Sequence, residues 1–201
     1  MGKRIERSKR TYNQMAAGYD TSPEGYYTKP HKAELLKQVR IRDGDSILDV
    51  ACGNGTLLGA FSKKAGVHGF GVDLSENMIA AARERYPDCT FAVSSCVPLP
   101  FETESMDVIT VSCAFHHFED PHAFAGECMR VLKKNGMIYM AEPFFTPVIR
   151  WLANTVAFPF SKSGDVKVYS EQELRGMFEA EGFRGVETYT KDTVLFLSAK
   201  K

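Results

Sequence analysis

Two short stretches and one separate acid carry most of the chemistry open to this sequence. The first stretch is Asp49-Val50-Ala51-Cys52-Gly53-Asn54-Gly55, where two glycines stand one residue apart between an apolar run and a helical one. Without a Cβ, such a turn bends sharply and lets backbone approach a ligand. The acid is Asp73 in Gly71-Val72-Asp73-Leu74-Ser75, and at about 20 residues past the turn it can accept hydrogen bonds from two ribose hydroxyls. A G-x-G turn with a later acid fits several kinds of nucleotide. It also fits a plain strand–helix turn with an exposed Asp capping the helix near Ser75. Two features separate the ligands. A dinucleotide fingerprint needs G-x-G-x-x-G, and here Leu58 holds the third place with Gly59 one residue late. Asp49, just before the turn, opposes a pyrophosphate and suits a ligand with a positive group, which disfavours a nicotinamide-dependent oxidoreductase.

The second stretch is Phe115-His116-His117-Phe118. Histidine titrates near neutrality, so either imidazole could take a proton from a phenol, enol or amine; the alternative is a pocket-lining or positioning role. His122, in the following helix, reads as a surface residue. No carboxylate or cysteine falls at ligand spacing from these three histidines, so no metal is expected. Five cysteines, at 52, 89, 96, 113 and 128, form no C-x-x-C pair. An odd, unpaired set argues against a disulfide scaffold or a structural zinc site and for buried, inert thiols.

These residues need a scaffold, and the composition allows one. The chain has 201 residues, 44% of them hydrophobic, with 25 basic and 25 acidic side chains. That apolar share fills a core, and zero net charge argues against a protein built to grip nucleic acid. The amino terminus is charged without an apolar h-region, and no run of about 18 apolar residues exists, so neither a secretory signal nor stable membrane insertion is expected. The expected setting is cytoplasmic, as monomer or homodimer.

Short apolar runs alternate with amphipathic stretches. Strands are predicted at Ser46–Val50, 67–72, Thr90–Val93, Met106–Ser112 and 137–141, the fourth apolar on both faces as in the middle of a parallel sheet. Helices are predicted at 56–65, 75–85 with Ser75 as N-cap, and 121–132, closed by Lys133-Lys134-Asn135-Gly136. Ser170 and Glu173 have capping-box spacing for a helix reaching about residue 180. Strands at 186–190 and 194–199, parted by Lys191-Asp192, form a terminal hairpin. The alternation predicts an α/β fold, doubly wound, with a mostly parallel seven-stranded sheet and a C-terminal antiparallel hairpin.

In that order, several segments resemble the class I S-adenosylmethionine-dependent methyltransferases. I-L-D-V-A-C-G-N-G-T-L resembles the family's first motif, and G-V-D-L-S-E-N-M-I the second-strand segment ending in the ribose acid. V-P-L-P-F-E-T-E-S-M-D-V-I-T, F-H-H-F with Asp120-Pro121, and R-V-L-K-K-N-G-M-I-Y-M-A-E-P resemble the later passages. The likeness runs from about residue 40 to 200, nearest to the small-molecule type of ubiquinone and menaquinone biosynthesis, and implies a Rossmann-like methyltransferase fold using S-adenosyl-L-methionine. It implies that Asp49, Ala51, Gly53 and Gly55 surround the methionine part and sulfonium. Asp73 would hold the ribose, with Leu74 and Met78 at the adenine. The family usually has an acid at the position of Ser95 or Cys96 to bond the adenine amino group; here the Ser95 hydroxyl or Cys96 backbone would serve. Asn54 is compatible with an unusual backbone angle in the turn.

The whole chain, 1–201, then reads as one methyltransferase domain. Residues 1–40 form an N-terminal helical arm whose Tyr12 and Tyr19 either close the site or only pack the arm onto the domain. Residues 143–169 form an insert with Trp151, read as a helical lid over the substrate, with a dimer contact or a core-covering helix as the alternatives. Methyl transfer to a small-molecule acceptor is the expected activity. A non-catalytic S-adenosylmethionine or S-adenosylhomocysteine-binding sensor or partner subunit is the alternative.

Overall fold

The computed structural model describes residues 2–201. Seven strands form one sheet: β1 Ser46–Val50, β2 His68–Asp73, β3 Thr90–Val93, β4 Met106–Ser112, β5 Leu132–Pro143, β6 Arg184–Lys191 and β7 Val194–Lys200. Their order is β3-β2-β1-β4-β5-β7-β6. Only β7 runs antiparallel to its neighbours, as the terminal hairpin requires. The strand order reverses between β1 and β4, so their carboxyl ends open a crevice.

The helices are α1 Lys3–Met15, α2 Pro23–Gln38, α3 Thr56–Lys64, α4 Glu76–Arg85, α5 Pro121–Val131, α6 Pro147–Leu152 and α7 Glu171–Ala180. The period-2 side-chain alternation of the central strands divides the core. Ile47, Val108 and Tyr139 pack with Leu35 of α2 and Phe61 of α3. Leu48, Ile109 and Ile138 pack on the other face with Phe124 of α5 and Phe178 of α7. Ser75 caps α4 by accepting from the Met78 N–H, and Ser170 with Glu173 forms the expected capping box on α7.

Three local expectations change. The segment Lys133-Lys134-Asn135-Gly136 does not close α5, which ends at Val131; it belongs to the start of β5. The pairing jumps there from Met106↔Leu132 to Val108↔Met137, a bulge that Asn135 turns with φ 67° and that Lys133 ties to Asp107 at 2.6 Å. The final hairpin turns on Asp192-Thr193, because Lys191 still pairs with Val194. In the insert, α6 is followed by a π-helical turn and a short 3₁₀ turn, and Trp151 is 62% exposed. Trp151 points to solvent and lies on neither cavity described below, contrary to its expected place beside the substrate. Among the described residues no helix is long and apolar enough to cross a membrane.

Candidate active site

At the carboxyl end of β1 the chain turns through left-handed backbone at Ala51, Gly53 and Gly55, with φ of 55°, 53° and 76°. Cys113, just past β4, has φ 55° as well. Non-glycine residues rarely adopt this conformation, and strain of this kind concentrates at functional sites. The two glycines have different reasons. A Cβ on Gly53 would meet only Met78 Sδ at 4.0 Å, on the open side of the turn. On Gly55 it would stand 2.9 Å from Phe91 Cζ and 3.1 Å from Ala82 Cβ. Gly55 therefore serves helix–sheet packing and is not on the cleft wall, contrary to its expected ligand contact.

Asp73 ends β2 with both carboxylate oxygens engaged: Oδ2 accepts from the Gly53 N–H and Oδ1 from the Ser75 N–H, each at 2.8 Å. It thereby holds the glycine turn and the start of α4 in one frame, and burial raises its pKa. A cleft of about 260 Å³ lies above it, lined by Ala51, Gly53, Asp73, Leu74, Met78, Ser95 and Cys96 among others. The Ser95 hydroxyl donates to the Val97 carbonyl at 2.7 Å, leaving its oxygen lone pairs to accept. Burial pushes the Cys96 thiol up to about 12.

Asp49 corrects the expectation most plainly. It is 2% exposed, accepts from Thr110 Oγ1 at 2.8 Å, and lies behind the cleft wall. Burial pushes its carboxyl up to about 7, against the pull of Lys32 on α2. Asn54 also has another purpose than backbone tolerance: its φ is not positive, and its buried amide donates to Asp20 Oδ1 at 2.8 Å.

The N-terminal arm lies against this cleft. Asn13 Oδ1 accepts from Ser75 Oγ at 2.6 Å and from the Asn77 N–H at 3.1 Å, while Asn77 Nδ2 donates to the Asn13 carbonyl. Tyr12 and Tyr19 line both the cleft and a second cavity of about 380 Å³, which also takes in Phe145 and Phe158 of the insert. Cys113 and His117 are likewise shared by the two.

His116 and His117 sit in a 3₁₀ turn, Phe115–His117, just beyond β4. Buried Glu142 on β5 holds that turn: Oε1 accepts the Ala114 and Phe115 N–H groups at 2.8 and 3.0 Å, and Oε2 meets His116 Nδ1 at 2.8 Å. His117 Nε2 is 3.2 Å from Tyr12 Oη. Burial and the neighbouring His116 lower the pKa of His117, which disfavours its protonated form. His122 stands apart, 59% exposed at its side chain and paired with Glu181. Asp165 instead reaches both buried imidazoles. Asn13, Asp20, Glu142 and Asp165 all escaped the sequence reading, since no local spacing ties any of them to the motifs.

A methyltransferase-domain family model matches residues 48–140, from the middle of β1 into β5. A demethylmenaquinone methyltransferase of Chlorobaculum parvum is 33% identical over 170 residues, covering 80% of this chain and 70% of that protein. The chain belongs to the class I S-adenosylmethionine-dependent methyltransferases. Solved structures share the fold of this methyltransferase. A Haloferax volcanii putative methyltransferase, solved with its Trm112 activator, superposes with a TM-score of 0.79 at 22% identity, covering 94% of this chain and 96% of that one. The phosphoethanolamine N-methyltransferase 2 of Haemonchus contortus, solved with S-adenosyl-L-methionine, has a TM-score of 0.79 at 17% identity and covers all of this chain and 60% of its own. S-adenosylmethionine is the cofactor of this enzyme. The cleft lining offers groups suited to that molecule, among them the Asp73 carboxylate, apolar Leu74 and Met78, and the Gly53 turn.

Proposed function

We propose that this methyltransferase moves a methyl group from S-adenosylmethionine in the cleft to a small, apolar, aromatic acceptor in the second cavity. The observation that carries this is the junction: Tyr12, Tyr19, Cys113 and His117 line both spaces, so a methyl leaving one enters the other between them. The acceptor enters ionised, its proton left to bulk solvent, and its atom attacks the methyl carbon in line with the sulfonium; the new bond forms as the carbon–sulfur bond breaks, and S-adenosylhomocysteine leaves. Asp73 and the Gly53 turn bind the ribose and methionine ends, with Leu74, Met78, Ser95 and Cys96 around adenine. Asp49 supports the cation from behind the wall. Ala51, in its strained turn, faces the sulfonium. The arm 1–40 and the insert 143–169 exclude water, and alignment of the reacting atoms supplies most of the catalysis. His117 positions Tyr12, and His116 the turn that carries both; neither acts as a base in this reading. The apolar lining from Phe145 and Phe158, and the relatives named for demethylmenaquinone, support an aromatic acceptor.

Methyl-labelled cofactor offered with naphthoquinols, phenols and amines tests the reading. Label should pass to the apolar aromatics. Phe158→Glu should raise the acceptor KM and leave S-adenosylhomocysteine affinity unchanged, whereas Asp73→Ala should weaken that affinity by about 1–3 kcal/mol. Tight S-adenosylhomocysteine binding without transfer to any class would overturn it and leave a cofactor-binding sensor.

A further inference from the structure

The adjacent pair His116 and His117 meets Asp165, distant in sequence, at the rim of the second cavity. His116 Nε2 stands 3.5 Å and His117 Nδ1 3.4 Å from the same oxygen, Asp165 Oδ1. The three atoms lie within 4.8 Å of one another. Both distances exceed a good N–H···O hydrogen bond, and His117 Nδ1, on a side chain only 10% exposed, has no hydrogen-bond partner. Three ligand-type atoms thus stand close together at distances longer than hydrogen bonds. Ligands around a tetrahedral ion, with bonds of about 2.0–2.2 Å, stand roughly 3.3–3.6 Å apart, which is the spacing found from both histidines to Asp165.

Each of the three is also oriented from behind, as metal ligands are. His116 Nδ1 meets Glu142, His117 Nε2 meets Tyr12, and Asp165 Oδ2 accepts from Ser161 Oγ. All three residues line the second cavity.

We propose that His116, His117 and Asp165 form a binding site for one divalent first-row transition ion. Two imidazoles and one carboxylate suit zinc or iron, while magnesium prefers an all-oxygen set. An open fourth position would receive an oxygen donor of the molecule in that cavity, ordering it toward the methyl group; that last step rests on the acceptor reading above, and ion binding does not.

The test uses the full chain without cofactor or acceptor. Equilibrium dialysis against Zn²⁺ should give one ion per chain, and Co²⁺ should give a visible d–d spectrum without a thiolate charge-transfer band. Asp165→Asn should weaken binding at least about 100-fold and Ser161→Ala about 10–100-fold, with thermal melts verifying that both fold. His122→Ala, on the exposed pair with Glu181, should change nothing. Absence of binding, retention of the ion in Asp165→Asn, or a thiolate band would overturn the site. Loss of the ion site alongside intact transfer to aromatics would leave the acceptor reading standing, and the reverse result would leave the site without that acceptor.

Discussion

Paired alanine substitutions at the two glycines of the turn separate a ligand role from a packing role. Both have positive φ, and a left-handed L-residue costs about 1–2 kcal/mol, so Gly53→Ala should lose about that much stability and no more. Its new methyl would stand 4.0 Å from Met78 Sδ, beside the cofactor cleft, and should cost binding instead. At Gly55 the same strain is joined by contacts of 2.9 and 3.1 Å to Phe91 and Ala82. Neither neighbour can move freely, because Phe91 is 4% and Ala82 0% exposed. Overpacking of this kind adds about 1–3 kcal/mol, giving a total near 2–5 kcal/mol. Urea denaturation followed by circular dichroism gives the stabilities, and calorimetric titration with S-adenosylhomocysteine the affinities. Gly55→Ala should be clearly less stable than Gly53→Ala, while Gly53→Ala should bind more weakly. Phe91→Leu added to Gly55→Ala should recover part of the loss, a departure from additivity expected of residues in contact. Equal stabilities, or an affinity loss confined to Gly55→Ala, would refute the division of labour.

Other expectations follow from the same geometry. Asp49 ionises near 3.8 when exposed and about 7 when folded, so the native state holds its proton more tightly. Its contribution therefore destabilises the fold progressively as pH rises from about 4 to 7 and is constant above that. Asp49→Asn, which can still accept from Thr110, should flatten that slope in urea titrations at pH 5 and 8; an unchanged slope would remove Asp49 as its source. Glu142→Gln puts an amide where two carboxylate oxygens receive three backbone N–H groups and an imidazole. It should cost about 1–3 kcal/mol and lower Tm by about 2–4 °C per kcal/mol, and an unaltered melt would contradict the role of Glu142 in holding the histidine turn. Trp151→Ser should stay within about 0.5 kcal/mol of the parent in stability, with cofactor affinity unchanged; weakened affinity would return Trp151 to the site.

Much of the scaffold is written locally. The sequence pattern locates Thr90–Val93 and Met106–Ser112 to the residue, because short runs rich in β-branched and apolar side chains favour strands. Caps are equally local: Ser75 and Ser170 reach backbone groups three residues on. The glycine turn and Asp73 were legible for the same reason, since the turn's residue types and the strand end that follows are set by nearest-neighbour geometry.

Tertiary structure alone decided the rest. Whether a motif glycine meets a ligand or Phe91 depends on what α4 and β3 bring to its far side, and no spacing within the motif encodes that. The charge of Asp49 reads as a ligand contact until Thr110 and Lys32, on other elements, enclose it. Trp151 reads as part of a lid over the substrate, yet α6 turns it to solvent. Glu119 and Asp120 follow His116 and His117 in the chain, yet the carboxylates that these imidazoles meet come from elsewhere: the sheet supplies Glu142 from β5, and a loop 48 residues past His117 supplies Asp165. Periodicity and caps are short-range consequences of backbone geometry, whereas a site is a meeting of distant side chains and exists only once strand order and loop paths are set.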